Sequence, residues 1–306
     1  MKKKTLLAGL TAVAMTLSLL AGCSSTTAAT TAAATSKDSS TTAAAATSAG
    51  TDSSTTAAAA TSEGTDGSTT AAATVEGTPT LDAIKASGKL VMLTNATFPP
   101  FEMVDGDEVV GVDVELAQRV ADKIGVELEV QDMNFDLLTS ALAAGKGDLI
   151  AAGMSITPER QEEVDFSTPY VDTNLLIIIP KDSAIAGPDD LAGKTIAVQE
   201  TTTSDLYVTD NVDSKEVLRF KSAVEAGNAV ITGKADAAVI DEMTGQNVVN
   251  ANADELAITE ESLSHEQYAM AVAKGQEDLL AVINEVLAEA VEKDDVNTLI
   301  SKYMAE

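Results

Sequence analysis

The 306-residue chain has one cysteine and one histidine, and these two scarcities exclude several kinds of site. A single thiol cannot form a disulfide within the chain. One histidine, His265, leaves no cluster of His and Cys ligands for a metal ion. No Ser-His-Asp set and neither of the glycine motifs GxGxxG and GxxxxGK(S/T) is present. We therefore expect no metal site, no cofactor and no catalytic triad.

Positive charge is also scarce. The chain carries 19 Lys and Arg against 48 Asp and Glu, which gives a formal net charge of -29. No basic patch survives such a balance, so nucleic acid is not expected as a partner. An acidic surface is also repelled by anionic phospholipid headgroups. Any attachment to a membrane must therefore come from something other than the protein surface.

The first 23 residues have the pattern of a bacterial export signal. Three lysines at positions 2–4 precede an apolar stretch from Leu6 to Leu20, and small residues then lead to Cys23. The stretch is short for a transmembrane helix, which needs about 20 residues. Residues 20–23, LAGC, resemble the lipobox of bacterial lipoproteins. This resemblance implies a signal peptide at 1–22 and lipid on Cys23, whereas ordinary secretion with a free or buried thiol is the alternative.

Residues 24 to about 79 are almost only Ser, Thr, Ala and Gly. The block TTAAAATSAGTDSS at 41–54 is followed at once by TTAAAATSEGTDGS at 55–68. Such a segment cannot bury enough apolar area to offset the entropy of ordering it. We predict that residues 23–79 are a lipidated cysteine followed by a disordered tether, which spans on the order of 40 Å as a flexible coil.

From residue 80 the chain alternates between predicted strands and helices. Strands are predicted at 89–94, 126–130 and 149–152. Of the helices between them, one is capped by Asp113 and the other carries Phe135 on its buried stripe. Alternation of this kind favours a mostly parallel sheet with helices on both faces.

One sequence pattern occurs twice in this part of the chain. The segments LTSALAAGKGDLIAAGMSIT (138–157) and AGNAVITGKADAAVIDEMT (226–244) both read as a helix, a GKxD turn, a strand and a polar end. Two α/β lobes built on one plan imply a cleft between them. Ligands of open α/β sheets lie beyond the carboxyl ends of the strands, so the polar residues there are the candidates for binding.

Two charged residues at these polar ends suit a zwitterion. Thr157 is a predicted N-cap with Pro158 at the first helical position, and Arg160 then projects from the first turn. A guanidinium beside a helix N-terminus suits a carboxylate or phosphate, although Arg160 as a plain surface or ion-pair residue is the alternative. Asp241 follows the predicted strand 237–240 and can pair with an ammonium group.

Two further loops are weaker candidates. The threonines at 201–203 follow a predicted strand at 195–198, where their hydroxyls and backbone N–H groups suit an oxyanion or serve only as helix caps. The prolines of the loop 98–102 stiffen it. An aromatic residue there forms an apolar wall over a ligand, or, in the case of Phe101, part of the core.

Several ordered stretches resemble the family 3 solute-binding proteins, which supply polar amino acids to ABC importers. The resemblance runs from about residue 80 to the C-terminus. It implies a type II periplasmic-binding-protein-like α/β fold, in which each of two lobes is a mostly parallel sheet flanked by helices and two crossover hinge strands join the lobes. Lobe 1 is expected at 80–172 and 267–306, and lobe 2 at 173–266. The stretches are GKLVMLTNATFPPFEMVDGDEVVGVDVELAQRVADKIG (88–125), LAAGKGDLIAAGMSITPERQEEVDFSTPY (142–170), GKTIAVQETTTSDLY (193–207) and GKADAAVIDE (233–242).

The resemblance also implies contacts to the backbone groups of an amino-acid ligand. Arg160, helped by Thr202 or Thr203, is expected to hold the α-carboxylate. Asp241 is expected to take the α-ammonium, together with the Ser155 hydroxyl and the Gly153 carbonyl.

The ligand side chain is expected between Phe98 and Phe135. Asn95 lies where many members carry aspartate, and an amide there disfavours a cationic side chain. Ala152 replaces a hydroxyl found in some relatives. These differences favour a neutral polar amino acid over a basic one.

The function that follows is binding without catalysis. We expect a monomeric receptor outside the cytoplasm, tethered to the cell membrane through Cys23, that delivers a free amino acid to an ABC permease and ATPase complex. An enzyme on the same scaffold, resembling a dehydratase, is one alternative and would need a positioned acid or base such as Glu200. A protein that presents the ligand to a sensor is the other.

Overall fold

The computed structural model describes residues 81–304. These residues belong to one compact unit. The predicted signal peptide, Cys23 and the tether lie outside the described residues, so their assignment stays a prediction. Among residues 81–304, no helix is long and apolar enough to cross a membrane.

Helices and strands alternate through most of this range. Single 3₁₀ turns cover Phe135–Leu137 and Pro188–Leu191. The helices are α1 (Leu81–Ser87), α2 (Val112–Ile124), α3 (Leu138–Ala143), α4 (Pro158–Glu163), α5 (Thr203–Asn211), α6 (Ala223–Ile231), α7 (Glu242–Ala251), α8 (Glu277–Glu292) and α9 (Asp295–Tyr303). The strands are β1 (Lys89–Thr94), β2 (Thr97–Phe98), β3 (Glu102–Asp105), β4 (Glu108–Val110), β5 (Glu127–Asp132), β6 (Leu149–Ile150), β7 (Val164–Phe166), β8 (Val171–Pro180), β9 (Thr195–Gln199), β10 (Glu216–Phe220), β11 (Ala237–Asp241), β12 (Leu256–Ile258), β13 (Ser264–Tyr268) and β14 (Ala271–Ala273).

The first large sheet has the strand order β5-β1-β6-β14-β7. Strand β1 pairs in parallel with β5 and β6, whereas β14 runs antiparallel to β6 and β7. Successive side chains of β1 point to opposite faces. Leu90 and Met92 therefore pack with Leu116 of α2, and Leu93 packs with Leu138 of α3 on the other face.

The second large sheet has the strand order β10-β9-β11-β8-β12, and β13 also pairs with β8. Strands β10, β9 and β11 are parallel, and β8 is antiparallel to its three partners. Along β9, Ile196 packs with Val208 of α5, while Ala197 packs with Val230 of α6 on the opposite face. The two sheets thus share a βαβ plan with helices on both faces.

The predicted α/β fold class is confirmed, and each sheet is more mixed than the sequence suggested. The parallel strands come from the βαβ units, which the alternating pattern reveals. The antiparallel strands β8, β13 and β14 belong to the two passages of the chain between the sheets, β7 to β8 and β13 to β14. The residue numbers predicted for the lobe boundaries stay a prediction.

Asp113 does not cap α2, which corrects the sequence prediction. The N-cap is Gly111, whose φ of 141° and close approach to the Phe101 carbonyl oxygen leave no room for a Cβ. Asp113 is fully buried and accepts hydrogen bonds from the Gly153 N–H at 2.8 Å and the Tyr170 hydroxyl at 2.6 Å. These two partners, distant in sequence, draw the carboxylate into the core. Gly125 ends the helix in a left-handed conformation, as predicted.

Candidate ligand-binding site

A cavity with about 300 Å³ of empty volume lies beyond the carboxyl ends of the parallel strands of both sheets. Nine of its twelve lining residues are the predicted ligand contacts, and three were not predicted as contacts: Glu102, Ala152 and Gln199. The lining residues are Asn95, Phe98, Glu102, Phe135, Ala152, Gly153, Ser155, Arg160, Gln199, Thr202, Thr203 and Asp241.

Arg160 supplies positive charge to the cavity. Thr157 caps α4 by accepting the Arg160 N–H, with Pro158 first in the helix, as predicted. The guanidinium donates to the carbonyl oxygens of Ser155 at 2.7 Å and Thr201 at 3.4 Å. Both acceptors are uncharged, so these hydrogen bonds do not neutralise the charge of Arg160. Burial lowers the pKa of Arg160, but an arginine in a protein stays protonated. The site is therefore suited to a carboxylate.

Asp241 ends β11 and is buried in the opposite wall of the cavity. One of its oxygens accepts the Tyr268 hydroxyl at 2.5 Å. Burial, and then repulsion by Glu266, raise its pKa to about 7, although the Tyr268 hydrogen bond and Arg160 act in the opposite direction. A ligand ammonium group would stabilise the ionised form.

The threonine loop caps a helix and also lines the cavity. Thr202 is the N-cap of α5, since its hydroxyl accepts the Asp205 N–H and donates to the Gln199 carbonyl at 2.8 Å. The Thr203 hydroxyl instead donates to Glu266 at 2.8 Å. Both residues still line the cavity, where the first N–H groups of α5 have no partner within the helix.

Asn95 has little hydrogen-bonding capacity left for a ligand. Its amide nitrogen donates to the Met133 carbonyl at 2.9 Å. Its amide oxygen accepts from the Thr97 hydroxyl at 2.9 Å and from Gln199 of the other sheet at 3.0 Å. One N–H remains. The sequence-based preference for a neutral ligand rested on the lack of a charge at this position, and these bonds show that Asn95 also contributes little to a polar ligand.

Glu102 is a buried carboxyl group that the sequence did not identify as a ligand contact. It has no exposed surface and lines the cavity, and its hydrogen-bond partner among the described residues is the carboxyl group of Asp113. Burial, followed by repulsion from Asp113, raises its pKa well above the ordinary value. When Glu102 holds the proton of this pair, its acceptor capacity is unused, and a ligand with a donor group would satisfy it.

The apolar walls of the cavity come from two aromatic residues. The Phe98 ring is held by Phe101 and Tyr268, at centroid distances of 5.9 and 6.3 Å. The Phe135 ring lies 5.2 Å from the Arg160 guanidinium carbon. Phe101 is fully buried and belongs to the core, which is the alternative considered for it from the sequence.

Glu200 does not line the cavity. It forms an ion pair with Lys221, which also lies 3.3 Å from Asp136. Lys221 therefore connects a residue that follows β9 with one that follows β5. Glu200, the acid or base considered for an enzyme, is therefore engaged in an ion pair with Lys221.

Gly153 is expected to tolerate no side chain. Its φ is 50°, and a Cβ would lie 2.6 Å from the Phe98 ring. Gly153→Ala should destabilise the fold by about 1–3 kcal/mol through overpacking, beyond the cost of the backbone conformation. Gly88→Ala is the matched control, because Gly88 has a φ of 75° and an added Cβ would have no neighbour within 4 Å. Urea denaturation measures both; equal losses would contradict the predicted overlap.

A comparison with known protein families decides the identity of the fold. The sequence profile of the bacterial extracellular solute-binding proteins, family 3, matches residues 90–306. The chain belongs to this family. As predicted from the sequence, the chain is accordingly an amino-acid receptor of an ABC importer that works outside the cytoplasm.

Individual relatives agree with this membership. Arginine-binding extracellular protein ArtP of Bacillus subtilis is 34% identical over 221 residues, which cover 70% of this chain and 86% of that protein. The arginine-bound form of truncated ArgBP from T. maritima is 44% identical with a TM-score of 0.64, over 68% of this chain and 99% of that chain. The ancestral amino acid-binding protein AncCDT-1, a precursor of cyclohexadienyl dehydratase, is 31% identical with a TM-score of 0.68, over 74% of this chain and 99% of that chain.

Proposed function

We propose that this family 3 member binds an L-amino acid with a basic side chain, arginine being the first candidate, and passes it to an ABC importer. The observation that carries the ligand class is Glu102, a buried carboxyl group that lines the cavity and whose partner among residues 81–304 is another carboxyl group, that of Asp113, rather than a cation. The arginine-binding relatives support the same choice. This proposal replaces the neutral polar ligand that the sequence favoured.

The charges of the cavity match those of arginine. Arg160 takes the α-carboxylate, Asp241 takes the α-ammonium, and Glu102 takes the guanidinium. A guanidinium forms paired hydrogen bonds with a carboxylate. Its positive charge also favours release of the Glu102 proton, which burial retains in the empty site. The rings of Phe98 and Phe135 cover the aliphatic part of the ligand.

Calorimetry on the wild-type protein tests this proposal. Arginine and citrulline have nearly the same shape, but citrulline lacks the positive charge. We expect tighter binding of arginine, together with weak or absent binding of glutamine and serine. Preference for glutamine or serine over arginine would overturn the proposed ligand class.

Glu102→Gln is expected to remove the preference for the charged ligand. The amide keeps the size of the carboxyl group but cannot neutralise a cation. Affinity for arginine should fall by about tenfold or more, since a hydrogen bond to a charged group contributes on the order of 1.5–3 kcal/mol, while affinity for citrulline should change little. Glu108→Gln, at an exposed position on β4, is the charge-matched control. Equal losses for both ligands would mean that Glu102 acts only on the fold.

The remaining parts of the functional proposal concern attachment and delivery. We propose a monomer anchored by lipid on Cys23, with lobe 1 at 80–172 and 267–306 and lobe 2 at 173–266, docking on a permease and ATPase complex. Hydrogen bonds between residues of the two sheets, such as Gln199 to Asn95, support closure on the ligand. We also propose that the chain is not an enzyme, because Glu200 is held by Lys221. Recovery of chemically unchanged arginine after prolonged incubation tests this last part.

A further inference from the structure

Glu266 lies behind two hydroxyl groups of the cavity wall and is not itself a lining residue. It belongs to β13, which lies in one of the two passages between the sheets, and together with Thr203 it lines a second pocket. Its Oε2 accepts the Ser155 hydroxyl at 2.6 Å and the Thr203 hydroxyl at 2.8 Å. Its Oε1 accepts the Ser264 hydroxyl at 3.1 Å. One carboxylate therefore holds hydroxyls that follow β6 of the first sheet and β9 of the second.

These contacts fix the direction of each hydrogen bond. A hydroxyl has one hydrogen to donate and two lone pairs, whereas an ionised carboxylate only accepts. The single hydrogens of Ser155 and Thr203 are thus committed to Glu266. On the cavity side, each of the two oxygens presents only lone pairs.

We propose that Glu266 is a positioning residue, which makes the hydroxyls of Ser155 and Thr203 obligatory acceptors and so selects a ligand with an α-ammonium group. The inference rests on the proposed amino-acid ligand and deepens it. It also revises the role of Thr203, since a hydroxyl without a free hydrogen cannot donate to the α-carboxylate. That group is held by Arg160 and by backbone N–H groups at the start of α5.

The ligand pair that tests the proposal is L-arginine and 5-guanidinopentanoic acid, which has the same chain without the α-amine. Calorimetry gives the ratio of their dissociation constants, which is the amine preference. The full-length protein is used as wild type, Glu266→Gln, Ser155→Ala and the double variant. Glu260→Gln, at an exposed position outside the site, controls for the loss of one negative charge. Thermal unfolding shows that each variant is folded.

We expect a strong amine preference in the wild type and in Glu260→Gln. Glu266→Gln should reduce it about tenfold or more, mainly by weakening L-arginine, because the amide can reverse the direction of either hydrogen bond. Ser155→Ala should reduce the preference on its own. The double variant should lose little more than the larger single loss, because the two residues act through one hydrogen bond.

Other outcomes would overturn the inference. Equal weakening of both ligands in Glu266→Gln would indicate a purely structural role. Multiplying losses in the double variant would show that Glu266 acts on the ligand independently of Ser155. An unchanged amine preference in Ser155→Ala overturns it even if Glu266→Gln does not fold. If the wild type binds neither ligand, the proposed function itself fails. This outcome is distinct from a failure of the Glu266 inference, which would appear only in the variants.

Discussion

Replacing Arg160 with alanine is expected to abolish measurable amino-acid binding while the fold survives. The guanidinium projects from the first turn of α4 into the cavity, and its hydrogen bonds go to the carbonyl oxygens of Ser155 and Thr201. Without it, the ligand carboxylate would be buried without a counter-charge. Truncating one partner of such a pair costs roughly 2–5 kcal/mol or more, which raises the dissociation constant by about 30-fold to several thousandfold.

Two controls separate this effect from a loss of structure. Arg119→Ala removes an arginine of α2 that pairs with Asp295 outside the cavity, so binding should be unchanged. Arg160→Lys keeps the charge but not the planar fork and should recover only part of the affinity. Calorimetry with L-arginine and thermal unfolding measure both properties. Near wild-type affinity in Arg160→Ala would refute the carboxylate role of this residue.

The position of Arg160 in the first turn of α4 was predictable because its signals are local. The cap residue Thr157, the proline that follows it and the arginine lie within four positions, so the helix start and its charged side chain can be recognised without any tertiary information. The strands that alternate with helices were recognised for the same reason. The sequence of β1, for example, is a short run of mostly apolar residues, as expected for a strand that is buried on both faces. The family resemblance then supplied the other predicted ligand contacts, such as Thr202, Thr203 and Asp241.

Asp113 shows where local signals fail. An acidic residue at the start of a helix resembles a cap, but this carboxylate turns inward to the N–H of Gly153, 40 positions away in sequence. The real cap, Gly111, is required by the approach of the Phe101 backbone. Tertiary hydrogen bonds that no short window contains decide between the two arrangements.

Glu102 and Glu266 were missed for a related reason. The acidic residue in PPFE carries no sequence signal that distinguishes a buried carboxyl group from a solvated one. Glu266 contacts Ser155 and Thr203, which precede it by 111 and 63 positions. An interpretation of Asn95 as a free amide likewise could not include Gln199, 104 positions later. Side chains that meet only when both sheets are assembled lie beyond what the sequence pattern can reveal.

Asp241→Asn is expected to weaken binding strongly and to remove the part of the pH dependence that Asp241 supplies. In the empty site, burial and Glu266 raise the pKa of Asp241 to about 7. The α-ammonium group needs the ionised carboxylate, so a proton must leave before the ligand binds. Asp241 should therefore lower the affinity as the pH decreases through 7, by up to tenfold per pH unit, which amounts to a contribution of about a hundredfold between pH 8 and pH 5. Release of the Glu102 proton on binding of arginine adds to the slope in the wild type and in the variant alike. A ligand amine that stays protonated over this range contributes no slope of its own.

The asparagine variant isolates this contribution. Its amide oxygen can still accept a hydrogen bond but cannot neutralise the ammonium, so affinity at pH 8 should fall by about 30-fold or more, as for other truncated buried charge pairs. Between pH 8 and pH 5 the variant should lose less affinity than the wild type, and the difference between the two slopes belongs to Asp241. Asp210→Asn, at an exposed position on α5, should behave as the wild type does. Parallel pH profiles of Asp241→Asn and the wild type would contradict this prediction. The slope would then come from another carboxyl group, such as Glu102, which also lines the cavity. Asp241 would already be ionised in the empty site, because the Tyr268 hydrogen bond and the charge of Arg160 outweigh the effect of its burial.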